Sequence, residues 1–137
     1  MSPMRGSAPA SCVGFILVKD GAFLTEKRRM DDDTDPGMVE IPGGHVEDLE
    51  SLDDALVREC LEELGIVPTE YKHLCRKLHK ATSEMQNIDY YVVTGWSGSV
   101  VGTEAESYKW LMFKQIGELD LPVDRDAVAL AIKTVSE

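Results

Sequence analysis

The chain has 137 residues, of which 43% are apolar, and 14 basic against 25 acidic side chains leave a formal net charge of −11. A chain of this length is expected to fold as one domain that buries roughly two-thirds of its unfolded surface, and its acidity argues against a general nucleic-acid or anionic-membrane surface. Its longest apolar stretch, Cys12 to Val18, is too short to span a bilayer.

The lead MSPMRGSAPAS is rich in Pro, Gly and Ser and carries no apolar secretory segment, so residues 1–10 read as a lead and 11–137 as the domain. SCVGFILV and AFLTEKRR read as strands joined at Lys19-Asp20-Gly21, where Asp-Gly signals a hairpin. The acidic segment MDDDTDPG predicts a solvated loop before a short strand, MVEI, that ends at Pro42-Gly43-Gly44. Ser51 to Leu64 contains neither Gly nor Pro. It opens on a capping serine with Asp54 three residues on and is followed by Gly65, which predicts a helix. KHLCRKLHKA, NIDYYVVTGW and SYKWLMF predict further strands. Val123, Ala127, Leu130, Ala131 and Val135 recur at helical spacing and predict a closing amphipathic helix over 122–135. A sheet covered by helices on both sides is the most economical way to bury these elements, which places the chain among the α/β or α+β layered folds.

The three cysteines, Cys12, Cys60 and Cys75, are odd in number and lack CxxC spacing, which fits a reducing cytoplasm. None has a histidine beside it in the sequence, so each reads as a small buried apolar group without chemistry of its own.

The charge is local. Between Glu40 and Glu63 stand nine acidic residues against one cation, Arg58. At about 100° per residue, Glu59, Glu62 and Glu63 share one arc of the predicted helix, while Leu56, Val57, Cys60, Leu61 and Leu64 occupy the neighbouring arc and predict its core face. Like charges at these spacings repel unless neutralised, and a divalent cation would neutralise them; hard oxygen donors suit Mg²⁺ or Mn²⁺. A solvated acidic face is the alternative.

The string GHVEDLESLDDALVRECLEELGI, Gly44 to Ile66, resembles the Nudix box, G-x5-E-x7-R-E-U-x-E-E-x-G-U with U a bulky aliphatic residue. Gly44, Glu50, Arg58, Glu59, Glu62, Glu63, Gly65 and Ile66 all match. Cys60 stands where the first aliphatic residue is usual, a packing change only. The resemblance implies a Nudix-type α/β/α sandwich with a mixed sheet, and a Mg²⁺- or Mn²⁺-dependent pyrophosphohydrolase of nucleoside diphosphate-linked compounds. It puts Glu59, Glu62 and Glu63 around the metal, with the Gly43 carbonyl as a further ligand. It makes Glu59, or an acid outside the box such as Glu104 or Glu106, the general base. Arg58 would orient Glu59 through a charge-assisted pair, and Gly44, Glu50 and Gly65 would serve the box structurally. Arg28 matches a place where MutT-like members present an arginine to phosphate, and Glu40 is a candidate for a base edge.

Marks that the resemblance associates with ADP-ribose and diadenosine polyphosphate hydrolases are absent at Ala81-Thr82-Ser83-Glu84. By elimination, a small MutT-like enzyme acting on (d)NTPs or oxidised nucleotides leads. An ADP-ribose or nucleotide-sugar pyrophosphatase, a non-catalytic nucleotide-binding domain and an acidic interaction surface stand as alternatives. Tyr90, Tyr91, Trp96 and Trp110 are candidates for base stacking, although strand aromatics usually serve the core. The expected partner is a small nucleotide, and pairing of two copies rests on the family analogy alone.

Overall fold

The computed structural model describes residues 8–137, so the first seven residues of the expected lead lie outside the described residues. Strand β1, Ala10–Lys19, turns at Asp20-Gly21 into β2, Ala22–Lys27. Both turn residues have positive φ, 53° and 74°, and such a two-residue turn matches the twist of the strands it joins. The expected strand MVEI is reduced to β3, Val39–Glu40, and the glycines after Pro42 form a strand of their own, β4, Gly43–His45. They do not form a turn. Helix α1, Leu52–Leu64, is capped as the sequence predicts: the Ser51 Oγ accepts from the Asp54 N–H at 3.1 Å, and Gly65 closes it in the left-handed region.

The long hairpin β5, Val67–Lys80, and β6, Met85–Ser97, exceeds its sequence expectation at both ends. Strand β7, Ser107–Met112, leads through a 3₁₀ segment into helix α2, Pro122–Val135. Seven strands form the sheet in the order β3-β2-β1-β6-β5, with β4 on β1 and β7 on β2. The sheet is mixed, because β1 runs parallel to β6 while its pairings with β2 and β4 are antiparallel.

Strand β1 organises both layers. Its alternate side chains face opposite ways: Cys12 and Ile16 join the cluster under α2 with Ile88, Tyr90, Ala127, Val128 and Ala131, while Val13, Phe15 and Leu17 join Ala55, Leu56, Cys60 and Leu64 of α1. This is an α/β/α sandwich. Two expected core positions differ. Leu61 is 55% exposed and Leu130 37% exposed, whereas Val128 is fully buried in place of Leu130. Each helix meets the sheet along a stripe narrower than its apolar arc. The acidic loop also departs from expectation, since Asp35 is buried. It accepts from the Thr82 N–H at 3.1 Å and pairs with His79 Nε2 at 3.0 Å, which ties the loop to the β5–β6 turn.

Leu56 is fully buried between α1 and β1. Leu56→Ala is expected to lower the unfolding free energy by about 2–5 kcal/mol, seen as a lower urea midpoint with an unchanged slope.

Candidate active site

Helix α1 presents Glu59 and Glu63, one turn apart, to a cleft of about 430 Å³ lined also by Glu26, Arg28, Glu40, Gly43, Gly44, Glu62, Glu104 and Asp124. Both are buried, Glu63 to 2% exposure, whereas the Glu62 side chain stays 53% exposed at the rim. The expected carboxylate face is therefore an interior wall of the cleft for two of its three members. Gly44 makes room for it: a Cβ there would overlap the Glu59 carboxylate, and one on Gly43 would overlap the Val13 carbonyl oxygen.

Arg58 binds the loop to the helix. Its Nε and Nη2 donate to the two oxygens of Glu50 at 2.7 and 2.9 Å, its Nη2 also donates to the His45 carbonyl at 3.0 Å, and its Nη1 donates to Glu59 and Glu62 at 3.1 and 3.2 Å. The fork of a guanidinium makes this possible where an ammonium would not. Arg58, helped by the Glu47 N–H, holds the Glu50 carboxyl down to about 2.

Glu59, Glu63 and Glu104 each offer a carboxylate oxygen within 4.8 Å of the others. Tyr108 OH donates to one Glu63 oxygen at 2.9 Å, but the other, Oε1, is buried without a partner. Burial pushes Glu59 up to about 7 despite Arg58. Glu26, also buried, is raised well above the usual carboxylate range by burial and then by Glu63 beside it. Burial likewise lifts Glu40 to about 9, with repulsion from Asp124 adding to it. Asp124 rises to about 6 through burial, although Tyr90 OH and the Ile41 N–H both donate to it.

The structure thus gathers Arg28, Glu40, Gly43, Gly44, Arg58, Glu59, Glu62, Glu63 and Glu104 around one cleft. Gly65 caps the helix below it. Glu106 does not join them: its backbone N–H donates to the Lys27 carbonyl at 2.9 Å and its carboxylate pairs with the Lys27 ammonium at 3.5 Å on the surface. The Arg28 guanidinium faces the cleft already engaged, donating to the Thr34 carbonyl at 2.7 Å, Asp32 at 2.9 Å and Glu26 at 3.4 Å. Of the four aromatic candidates only Tyr90 lines the cleft; Tyr91 faces α1, and Trp96 stacks on Trp110.

Sequence reasoning missed Glu26, Tyr108 and Asp124. Glu26 shares the inward parity of Leu24 on β2, a signal that was there to read. Asp124 sits in the first turn of α2, where an acid is ordinary.

A family profile described as NUDIX domain matches residues 8–131. The chain belongs to the NUDIX domain family. It is 26% identical over 121 residues to the 8-oxo-dGTP diphosphatase of Escherichia coli, covering 88% of this chain and 93% of that protein. It is 31% identical over 98 residues to the CTP pyrophosphohydrolase of the same organism, covering 72% of each. The crystal structure of a MutT NUDIX hydrolase from Burkholderia pseudomallei superposes with a TM-score of 0.76 at 29% identity, covering 90% of this chain and 98% of that one. The protein is a Nudix hydrolase acting on phosphoric anhydrides, a nucleotide pyrophosphohydrolase of a family that is generally dependent on divalent metal and acts on small nucleotides. Among the described residues no helix is long and apolar enough to cross a membrane.

Glu40 ionises near 4.5 in an unfolded chain but near 9 in the fold. Between those values the folded state holds the extra proton, so stability falls as pH rises through that window. In metal-free protein the urea midpoint is expected to fall across it, and Glu40→Gln to make that fall shallower; an equally steep fall in the variant would mean that Glu40 is ionised in the fold.

Proposed function

We propose that this chain is a MutT-like diphosphatase that cleaves nucleoside triphosphates, oxidised ones among them, to monophosphate and pyrophosphate with Mg²⁺ or Mn²⁺. The names of the E. coli relatives support the substrate class. Glu63 carries the metal reading: a carboxylate oxygen without a partner, 2% exposed, clustered with Glu59 and Glu104. A buried anion of this kind is costly unless a cation completes it, and all-oxygen donors suit a hard cation.

Glu59 and Glu63 would hold the ion, with Glu62 at the rim and Gly43, whose carbonyl would be a further ligand, lining the same cleft. When bound, such an ion neutralises polyphosphate oxygens and makes a nearby water more acidic. Hydrolysis adds the water oxygen to phosphorus, breaks one bridging P–O bond and passes the water proton to a carboxylate. Glu104 would take that proton. Burial and repulsion from Glu63 and Glu62 raise its basicity, whereas Glu59 is bonded to Arg58, which makes Arg58 a positioning residue.

Arg28 is the phosphate candidate, its carboxylate partners giving way to an anion of the substrate. Glu40, raised to about 9, is protonated near neutrality and offers an O–H donor to a base edge beside Asp124. Every group named comes from one chain, so the reading needs no second copy. Three free thiols fit the cytoplasm.

A panel of ordinary and oxidised nucleotides, ADP-ribose and diadenosine polyphosphates, incubated with Mg²⁺ or Mn²⁺ and analysed for products, tests this directly. Turnover of triphosphates to monophosphate and pyrophosphate is expected; turnover of ADP-ribose alone overturns the substrate reading. Glu63→Gln should lower kcat by about a hundredfold or more with the circular dichroism unchanged, and retained activity at saturating metal would remove Glu63 from the site. Arg58→Ala should lose both melting temperature and rate. A lowered melting temperature with intact kinetics would make Arg58 scaffold alone.

A further inference from the structure

A second group of ligand-type side chains lies outside the carboxylate centre. Cys12 of β1 and His45 of β4 are direct partners in the β1/β4 register, and Glu84 comes up beside them from the turn before β6. One donor atom of each falls within 4.8 Å of the other two. In the sequence Cys12 and His45 stand far apart, and the thiol reads as isolated; the antiparallel pairing puts His45 directly across from it. We propose that Cys12, His45 and Glu84 form a binding site for one Zn²⁺ ion, distinct from the all-oxygen centre on α1, that clamps β1 and β4 to the β5–β6 turn.

The donor set decides the ion. A thiolate, an imidazole nitrogen and a carboxylate are the ligands that Zn²⁺ takes in tetrahedral sites, and three of them leave the fourth position to water. Mg²⁺ and Mn²⁺, which prefer oxygen, compete poorly for sulfur and nitrogen. Cys12 and His45 also line the cleft, so water can reach the site.

The surroundings support the assignment. Cys12 is 5% exposed and its sulfur makes only a long contact, 4.0 Å, to the Ala10 carbonyl. Burial, with the charge of Glu84 next, pushes the thiol up to about 12; a cation at the same point removes both penalties by taking the thiolate. Glu84 is oriented, since Gln86 Nε2 donates to it at 2.8 Å, and that bond, with His45 beside it, holds its carboxyl below the usual carboxylate range. His45 Nε2 already shares a proton with the Glu84 oxygen. On binding, Nε2 turns its lone pair to the ion with the imidazole proton on Nδ1, and the Cys12 thiol releases its proton to solvent. Thiolate and carboxylate then balance the two charges of the ion.

The test is metal binding by the full chain in millimolar Mg²⁺, read without reference to hydrolysis. One Zn²⁺ per chain should resist the Mg²⁺ and raise the melting temperature. Co²⁺ in its place should give a thiolate-to-cobalt charge-transfer band with tetrahedral visible absorption. Cys12→Ser should abolish that band. His45→Gln, at an exposed position that leaves folding intact, should raise the Zn²⁺ Kd more than Gln86→Ala, which removes an outer partner and is expected to cost about 10- to 100-fold. Glu63→Gln should keep both the band and the stoichiometry. Displacement of Zn²⁺ by Mg²⁺, a charge-transfer band that survives in Cys12→Ser, or loss of Zn²⁺ in Glu63→Gln but not in His45→Gln would each overturn the proposal.

Discussion

Mutual repulsion among buried carboxylates is the constraint around which the molecule is arranged. Glu26, Glu40, Glu59, Glu63 and Asp124 are all buried, and among the described residues only Arg28 and Arg58 oppose them as cations in the cleft. Glu26 stands directly across from Glu40 in the β2–β3 ladder, a cross-strand placement that is unfavourable for two ions. The fold meets this in two ways. Some groups hold their protons more tightly than usual, as Glu26 and Glu40 do, and others converge on a point where a metal would balance them. Protonated carboxyls bring hydrogen-bond donors into an acidic cleft; ionised ones bring metal ligands. On the function proposed above, one wall would serve two kinds of recognition.

Arg58 keeps these roles apart in space. Both oxygens of Glu50, one each of Glu59 and Glu62, and the His45 carbonyl all converge on its guanidinium. Without it, the loop from β4 to α1 would have to bring its own counter-charge to the helix. With it, the loop can remain short and β4 can sit flush against β1, and the absent side chain of Gly44 lets the Glu59 carboxylate pack on the strand.

Much of this was legible in the sequence because it is local. The Asp20-Gly21 turn, the Ser51 cap, the Gly65 terminus and the carboxylate arc of α1 each depend on a few consecutive residues whose conformational preferences are strong. What was illegible depends on pairing at a distance. Nothing in KHLCRKLHKA or NIDYYVVTGW announces that β6 runs parallel to β1 or that the hairpin extends from Val67 to Ser97. Asp35 reads as a loop acid until His79 and Thr82 reach it from the other end of the sheet. Leu61 has the right spacing for the core, yet only the width of the contact between helix and sheet decides that it stays outside. Of the cleft, the box glutamates were visible through their motif, whereas Glu26, Tyr108 and Asp124 needed β2, β7 and α2 to be assembled first.

The parallel pairing of Ala10 with Gln86 through Leu17 with Val93 bears on the life of the chain before it is complete. Strand β1 emerges first during synthesis, but its central partner follows only after α1 and the whole of β5, so the apolar face that seats the helix cannot close early; such non-local closure is also slow. Nascent chains held at the ribosome thus carry the acidic helix without the sheet that would bury its carboxylates. The cleft exists only once β6 and the residues after it that line it have been made, and fragments ending before β6 would lack it.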